Sequence, residues 1–170
     1  MVGIECDIRD DNGNSLPVET IGTLWVKGDN VMMGYYESPE ETEKVLKDGW
    51  LNTGDLGSIN KQGYLAIKGR IKDLIIHKGF NIYPQEIENV LLSHPKVMQA
   101  AVIGKEDSDT GQIPVAFVAS KEMDSNLESM LRDLCTANLA SYKIPKKFIC
   151  LNELPMNATG KIDKKLLQQY

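Results

Sequence analysis

The sequence is poor in the residues from which metal sites and disulfide frameworks are built. Of its 170 residues, two are histidines and three are cysteines, namely Cys6, Cys135 and Cys150. Three widely separated cysteines do not support a disulfide framework, and they favour a reducing, cytoplasmic setting. Because the cysteines and histidines form no cluster along the chain, a bound metal ion is not expected either.

Long hydrophobic runs are also absent. No apolar stretch approaches the roughly 20 residues that span a bilayer, and no signal peptide opens the chain. We therefore expect neither a transmembrane segment nor secretion. The apolar fraction of 42% and the charged fraction of 25% are ordinary for a globular protein. A chain of this length suits one full domain or two small ones.

Charge is unevenly distributed along the chain. Residues 1–70 carry a net charge of −5, residues 71–140 carry −4, and residues 141–170 carry +4. A basic tail on an acidic body indicates either a phosphate-bearing partner near the tail or a solvated lysine-rich terminus. Nucleic acid is not expected as a partner, because no aromatic residues that stack on bases are interleaved with the tail lysines.

Residues 1–70 have the pattern of a small, mostly antiparallel β subdomain. Alternating apolar and polar residues predict a strand over residues 4–9 and a returning strand over residues 23–27. The stretch Ser38-Pro39-Glu40-Glu41 is a typical helix start, and this helix is expected to end near Asp48.

After Arg70 the pattern changes to short strands alternating with helices. Apolar spacing predicts helices beginning at Pro84 and near Leu127. The predicted strands cover residues 74–76, 97–103, 115–119 and 148–151. This order implies an α+β domain over residues 71–170, in which a short sheet is flanked by helices. The predicted domain boundary therefore falls directly after residues 1–70.

Two stretches near this boundary contain candidate binding residues. Asp55 ends the Gly-containing turn Asn52–Asp55, where its carboxylate either binds vicinal ribose hydroxyls or satisfies the amides of its own turn. Gly69–Asp73 places three charges at the predicted boundary. That stretch is either a hinge that contacts a nucleotide or a solvated linker.

Two further stretches lie in the second half of the chain. His77–Asn81 is predicted as a loop between a strand and a helix, where the backbone either approaches a ligand or simply turns. Asn157–Lys161 presents Lys161 from a flexible loop of small residues. This loop does not complete a P-loop, because no glycine lies five positions before Gly160 and Ile162 replaces the required Ser or Thr. Lys161 still suits a phosphate as a mobile point charge.

The four stretches, in this order, resemble motifs of the adenylate-forming superfamily, which contains acyl-CoA synthetases, luciferases and the adenylation domains of peptide synthetases. The segments that resemble its sixth, seventh, eighth and tenth core motifs are Gly22–Gly28 with Gly34-Tyr35-Tyr36, Gly49–Asp55, Gly69–Ile76 with Gly79–Glu88, and Leu154–Ile162. The resemblance extends from about Ile4 to the C-terminus. Lys78-Gly79-Phe80 resembles the fatty and aryl acyl-CoA synthetase branch.

The resemblance implies an ATP-dependent acyl-CoA synthetase. In that family a carboxylate and ATP give an acyl-adenylate and pyrophosphate, and the thiol of coenzyme A then forms a thioester. The family's phosphate loop, magnesium-binding Glu motif and acyl pocket are missing from these residues. Residues 1–70 would thus be the last β subdomain of the AMP-binding region and residues 71–170 the mobile C-terminal domain. We expect this fragment to be inactive alone.

The same resemblance implies roles for individual residues in the adenylation step. Asp55 and Arg70 would bind the nucleotide, and Lys161 would be the catalytic lysine that neutralises charge at the α-phosphate. Lys72 would be the hinge about which the C-terminal domain turns between the two half-reactions. ATP with Mg²⁺ would be a substrate of the parent enzyme, together with a carboxylic acid of the fatty type.

For the second half-reaction the resemblance implies a coenzyme A site. Gly79 would let the pantetheine arm pass, and Tyr142 and Lys146 would contact coenzyme A. The missing N-terminal region would be the protein partner. Two alternatives stay open: an acyl-AMP ligase or carrier-protein-loading enzyme, and a non-catalytic binding module.

Overall fold

The computed structural model describes residues 3–120 and 125–170, and the chain divides into two units between Lys72 and Asp73. The elements of the first unit are β1 (Ile4–Arg9), β2 (Gly22–Gly28), α1 (Pro39–Val45), β3 (Leu46–Lys47), β4 (Trp50–Ile59) and β5 (Leu65–Arg70). Those of the second are β6 (Ile75–His77), β7 (Phe80–Ile82), α2 (Pro84–Leu92), β8 (Val97–Asp107), β9 (Gly111–Ser120), α3 (Leu127–Asn138), β10 (Lys147–Leu151) and α4 (Lys164–Leu167). This confirms the predicted α+β class. None of the helices in the described residues is long and apolar enough to cross a membrane.

The sheet of the first unit is antiparallel throughout. Its strand order is β1-β2-β4-β3, and β5 pairs with β4. Ile8 and Leu24 lie directly opposite each other in β1 and β2, and both are buried. Because cross-strand partners share a face, these two side chains lie on the same face of the sheet. Trp25 follows on the other face, where the Arg9 guanidinium carbon lies 5.1 Å from the centre of its ring.

The helix predicted to run from Pro39 to about Asp48 is shorter than predicted. It ends at Val45, and Leu46–Lys47 instead form β3, which pairs with the start of β4. The two residues between these strands, Asp48 and Gly49, have φ of +52° and +79°. Two residues with positive φ are typical of the two-residue loop that connects the strands of a β-hairpin, and Asp-Gly is a typical sequence for it. Strand pairing therefore ends the helix one turn early.

In the second unit β9 is the central strand. It pairs antiparallel with β8 along its length, parallel with β10, and at Gly111 with β6. The short strand β7 extends the sheet beyond β6. The adjacent pairing of β8 with β9 gives the sheet a long hairpin, and the loop between them covers residues 108–110.

Both faces of this second sheet are covered. One core lies under α2 and α3 and includes Ile87 and Leu131, whereas the other includes Leu154 and Leu167 from the C-terminal segment. Because side chains of a strand alternate between its faces, neighbouring residues of β8 enter different cores. The C-terminal segment is thus held on the face of the sheet opposite to α2 and α3.

The predicted loop from His77 to Asn81 is a tight hairpin instead. His77 pairs with Phe80, so that only Lys78 and Gly79 lie between β6 and β7, and their φ values are +51° and +79°. The prediction missed β7, because strands of three residues are too short to show a periodic pattern. The Lys78-Gly79 turn is therefore held by strand pairing on both sides.

Candidate functional site

Asp55 lies in a bulge of β4 and not in the tight turn that the sequence predicts. At this point the register of β2 against β4 shifts, so that one residue of β2 faces three of β4. Gly54, inside the bulge, has φ of +73°, a conformation that favours glycine. On its other side β4 pairs with β5, and there Asp55 lies directly opposite Arg70.

Two neighbouring side chains satisfy the backbone of the bulge. The Gly54 amide donates to Asn52 Oδ1 at 2.9 Å, and the Asp55 amide donates to Thr53 Oγ1 at 3.1 Å. The Thr53 hydroxyl in turn donates to the Leu24 carbonyl at 3.0 Å. The Asp55 carboxylate is therefore not used to satisfy its own turn, which was one of the two alternatives.

The Asp55 carboxylate faces the guanidinium of Arg70. Arg70 Nε lies 3.4 Å from Asp55 Oδ1, and the two side chains are 54% and 28% exposed. Within the described residues the carboxylate accepts no hydrogen bond from another side chain. A half-exposed ion pair of this kind contributes little to stability, so both groups are available to hydroxyl and phosphate groups of a ligand.

Lys72 lies in a 3₁₀ helix of one turn, Ile71–Asp73, at the division between the two units. Its side chain is exposed. The turn follows β5 directly, so Lys72 is two residues from Arg70. The charged stretch at the predicted boundary thus contains the point at which the chain passes from one unit to the other.

The structure brings together the Gly79 turn and Tyr142. The ring of Phe80, the residue after Gly79, stacks on that of Tyr142 at a centroid distance of 4.9 Å and an angle of 29°. Apart from Gly79 and its two chain neighbours, no heavy atom of the described residues lies within 4 Å of the position that a Cβ on Gly79 would occupy. In this conformation it is therefore the positive φ, and not crowding, that favours glycine here. The sequence analysis placed Phe80 in the His77–Asn81 stretch but did not predict its contact with Tyr142.

Lys146 and Lys143 lie in the segment after α3 and differ in their surroundings. The Lys146 amide donates to the Pro114 carbonyl at 2.9 Å, and its side chain is exposed. Lys143 Nζ instead lies 2.7 Å from Glu86 on α2, and 5.7 Å from the centre of the Tyr142 ring. Lys143 is thus neutralised by an ion pair, while the Lys146 ammonium points into solvent.

The loop that carries Lys161, predicted as a flexible loop of small residues, forms a defined turn with its own hydrogen bonds. Asn157 Oδ1 accepts from the amides of Thr159 and Lys161, at 2.9 and 3.0 Å, and from the Thr159 hydroxyl. The Asn157 amide donates to the Lys161 carbonyl at 2.8 Å, and Gly160 has φ of +74°. The backbone of Lys161 is therefore fixed.

The side chain of Lys161 is exposed. Across residues 3–120 and 125–170 it has no ion-pair partner, whereas Lys143 and Lys164 are paired with glutamates. A flexible stem on a fixed backbone places an ammonium in solvent at a defined point of the surface. This arrangement can neutralise a phosphate oxygen without demanding bidentate geometry.

Other candidates for chemistry are used in packing. His77 is buried, and its Nδ1 lies 2.6 Å from the Gln112 carbonyl. Cys135 lies in the core under α3, where burial raises the pKa of its thiol to about 11 despite the nearby Arg132 charge. Among residues 3–120 and 125–170, no three His, Cys, Asp or Glu side chains converge as a metal site.

Comparison with known proteins identifies a domain within the chain. Residues 86–161 match the family of the AMP-binding enzyme C-terminal domain. This part of the chain is thus an AMP-binding enzyme C-terminal domain. It is 45% identical over 165 residues to 2-succinylbenzoate–CoA ligase of Bacillus cytotoxicus, covering 96% of the chain and 34% of the relative. It is 42% identical over 161 residues to a long-chain-fatty-acid–CoA ligase of Yersinia pestis, covering 95% and 28%.

A solved adenylate-forming enzyme has the same fold. The o-succinylbenzoate CoA synthetase of Bacillus subtilis, in complex with its acyl-adenylate intermediate, superposes with a TM-score of 0.92 at 41% identity. The superposition covers 99% of the chain and 34% of that structure. The chain therefore spans about a third of the length of the adenylate-forming enzymes to which it is similar.

Proposed function

We propose that these residues form the C-terminal third of an ATP-dependent acyl-CoA ligase and provide the lysine that acts in its adenylation step. The observation that carries this proposal is the Lys161 loop, in which a fixed backbone presents an unpaired, exposed ammonium. The named relatives that the chain matches over 95–96% of its length are acyl-CoA ligases.

In the adenylation step Lys161 bridges the attacking carboxylate and the α-phosphate. Negative charge grows on the phosphate oxygens as pyrophosphate leaves, and a positioned ammonium stabilises that charge more than it stabilises the ground state. A single preorganised group of this kind is worth about 3–4 kcal/mol of transition-state stabilisation. Lysine suits the role because its compact charge needs no fork geometry.

Asp55 and Arg70 are proposed to hold the nucleotide of the same reaction. A carboxylate accepts hydrogen bonds from two vicinal hydroxyls, as ribose-binding acids do. The bulge supports this role, because Asn52 and Thr53 satisfy its amides, so that the Asp55 carboxylate is not needed for that task. Arg70, beside it, adds donors for oxygen atoms of the same ligand. ATP with Mg²⁺ is the proposed substrate.

For thioester formation the Lys78-Gly79 turn and the Phe80–Tyr142 stack are proposed to meet coenzyme A. Lys72, in the single turn between the two units, is the proposed hinge, since a change in its backbone angles redirects everything after it. Lys146 is the proposed contact to coenzyme A phosphate, because its ammonium points into solvent. Carrier-protein loading is the competing function for this half-reaction.

The acid is proposed from the relatives alone, because an acyl pocket is not part of the described residues. Identity to the 2-succinylbenzoate–CoA ligase is 45%, against 42% to the long-chain-fatty-acid–CoA ligase. We therefore place 2-succinylbenzoate before a fatty acid, which was the acid expected from the sequence. A cytoplasmic setting is also proposed, since Cys6, Cys135 and Cys150 are all free thiols.

A hybrid enzyme tests the proposed function. In this hybrid the chain replaces the matching third of the Bacillus cytotoxicus ligase, which supplies the remaining two thirds. We expect the hybrid to form 2-succinylbenzoyl-CoA from 2-succinylbenzoate, ATP and coenzyme A. The 170-residue chain alone is expected to show no ATP–pyrophosphate exchange.

The controls of this experiment separate the alternatives. The unaltered Bacillus cytotoxicus ligase gives the reference rate, and a holo-carrier protein offered in place of coenzyme A tests the competing acceptor. A soluble, folded hybrid that forms no acyl-adenylate would contradict the proposal. Adenylate formation with transfer to the carrier protein but not to coenzyme A would favour the competing function.

A further inference from the structure

A second lysine, Lys164, ties the Lys161 loop to the rest of its unit. Lys164 Nζ donates to Glu88 Oε1 at 2.8 Å and to the Val102 carbonyl at 3.2 Å. The same Glu88 oxygen accepts from the Val102 amide at 2.8 Å. The two side chains are 29% and 17% exposed. This small network therefore joins the C-terminal segment to both α2 and β8.

The network lies close to Lys161 along the chain. Ile162 forms a bridge with Met156, and the Asp163 amide donates to the Pro155 carbonyl at 2.7 Å, so the loop closes directly before Lys164. Lys164 is itself the first residue of helix α4, which has only four residues. Because one helical turn is marginal by itself, its attachment depends on side-chain contacts such as that of Lys164.

We propose that Lys164 is a positioning residue for adenylation. Its ion pair with Glu88 fixes the segment from which Lys161 projects, and so fixes the place at which the Lys161 ammonium meets the nucleotide. The proposal rests on the proposed role of Lys161. Positioning matters because a misplacement of about 1 Å can cost roughly 100-fold in rate.

The molecule offers a matched control for this ion pair. Glu86, two residues before Glu88 on the same helix, pairs with Lys143 at 2.7 Å. Positions two apart lie about 200° apart around a helix, and Lys143 contacts the Tyr142 ring instead of the Lys161 loop. Lys143→Met therefore removes a similar ion pair from α2 but leaves the Lys161 loop attached.

The test measures the two half-reactions separately in the hybrid enzyme. Adenylation is followed by pyrophosphate release without coenzyme A, and thioester formation by adding coenzyme A to supplied acyl-adenylate. We expect Lys164→Met to slow adenylation by roughly 10- to 100-fold and thioester formation by less than about three-fold. Lys164→Arg, which keeps a cation and several donors, is expected to retain most of the adenylation rate, as is Lys143→Met.

Some results would overturn the proposal. One is an adenylation rate for Lys164→Met within about three-fold of the unaltered hybrid, since a positioning defect costs more than that. Another is an equal loss in both half-reactions, which would mean that the residue only supports the fold. Failure of Lys164→Arg to retain adenylation would also count against it.

Hydrogen exchange on the 170-residue chain gives a readout that does not depend on catalysis. With Lys164→Met, the amides of Gly160 and Lys161 are expected to exchange faster while those of β9 stay unchanged. Uniform acceleration, or none, would contradict the positioning role. If Lys161→Ala leaves adenylation intact, the proposed function is wrong. The hydrogen-exchange result would still decide separately whether Lys164 holds the loop in place.

Discussion

Single residues illustrate how far the sequence identifies a site. The sequence singled out Asp55 but left two uses for its carboxylate open, because an Asp beside glycine often satisfies its own turn. The structure argues against the second use, because the side chains of Asn52 and Thr53 satisfy the amides of the bulge. Likewise, the lysine count of the tail could not separate Lys161 from Lys164, since only three-dimensional contacts show which lysine is paired.

Asp107 gives a prediction of pH-dependent stability. The Thr110 hydroxyl and the backbone amides of Asp109 and Thr110 donate hydrogen bonds to its carboxylate. These hydrogen bonds hold the pKa of the Asp107 carboxyl below the ordinary value of 3.8. A carboxyl whose pKa is lowered in the folded state stabilises the fold at pH values above its ordinary pKa. This stabilisation is lost as the pH falls through the lowered pKa. We expect Asp107→Asn to destabilise the chain at pH 6, with a difference that narrows below pH 3.8.

Urea unfolding of the wild-type and Asp107→Asn chains, from pH 6 down to pH 2.5, measures the difference in their free energies of unfolding. Thr110→Val removes the hydroxyl donor, so it is expected to reduce the same pH-dependent part. A free-energy difference between wild type and Asp107→Asn that stays constant over the whole range would contradict the assignment.

Among the elements, the long periodic ones were predictable and the short ones were not. The helix beginning at Pro84 and the buried strands of the second unit follow from apolar spacing. The hairpins at Asp48-Gly49 and Lys78-Gly79 were missed, because each joins a strand of two or three residues. Strand β4 was missed because the bulge at Gly54 interrupts its alternation.

Within residues 3–120 and 125–170, the same turn occurs three times. At residues 10–14, 60–64 and 157–161 an Asp or Asn side chain accepts from amides two and four positions later. In each, glycine at the fourth position has positive φ. The first two turns only reverse the chain, whereas the third ends on Lys161. The turn itself is thus structural, and the proposed chemistry depends on its last residue, Lys161.

The Lys78-Gly79 hairpin gives a prediction for both stability and activity. Gly79→Ala places a Cβ at φ +79°, so we expect it to destabilise the chain by about 1–2 kcal/mol. Gly79→Asn is expected to cost less, because Asn tolerates this conformation. In the hybrid, Gly79→Asn should slow thioester formation but not adenylation, since its side chain obstructs the proposed pantetheine path.

Urea unfolding and the two half-reaction assays check these expectations. A Gly79→Ala chain as stable as wild type would contradict the conformational argument. If Gly79→Asn forms the thioester at the unaltered rate, the proposed path is wrong even where the stability result holds.

For the whole molecule, the sequence indicated two parts, and the structure divides between Lys72 and Asp73. The division could be predicted because the order of predicted elements changes along the sequence, from β hairpins to alternating strands and helices. The acid on which a parent enzyme acts could not be predicted, since none of the motifs found in the sequence resembles an acyl pocket. The net charge of +4 over residues 141–170 is not all available to a ligand, because Lys143 and Lys164 neutralise glutamates.

The most direct test of the account compares Lys161→Ala with Lys165→Ala in the hybrid enzyme. Lys165 is also an exposed lysine of the tail, so it controls for the loss of one positive charge. We expect Lys161→Ala to slow adenylation by roughly 100- to 1,000-fold, the cost of one preorganised electrostatic group, and to leave thioester formation from supplied acyl-adenylate nearly unchanged. Lys165→Ala should leave both rates nearly unchanged. Equal loss of both half-reactions with Lys161→Ala, or an adenylation rate as high as that of Lys165→Ala, would contradict the account.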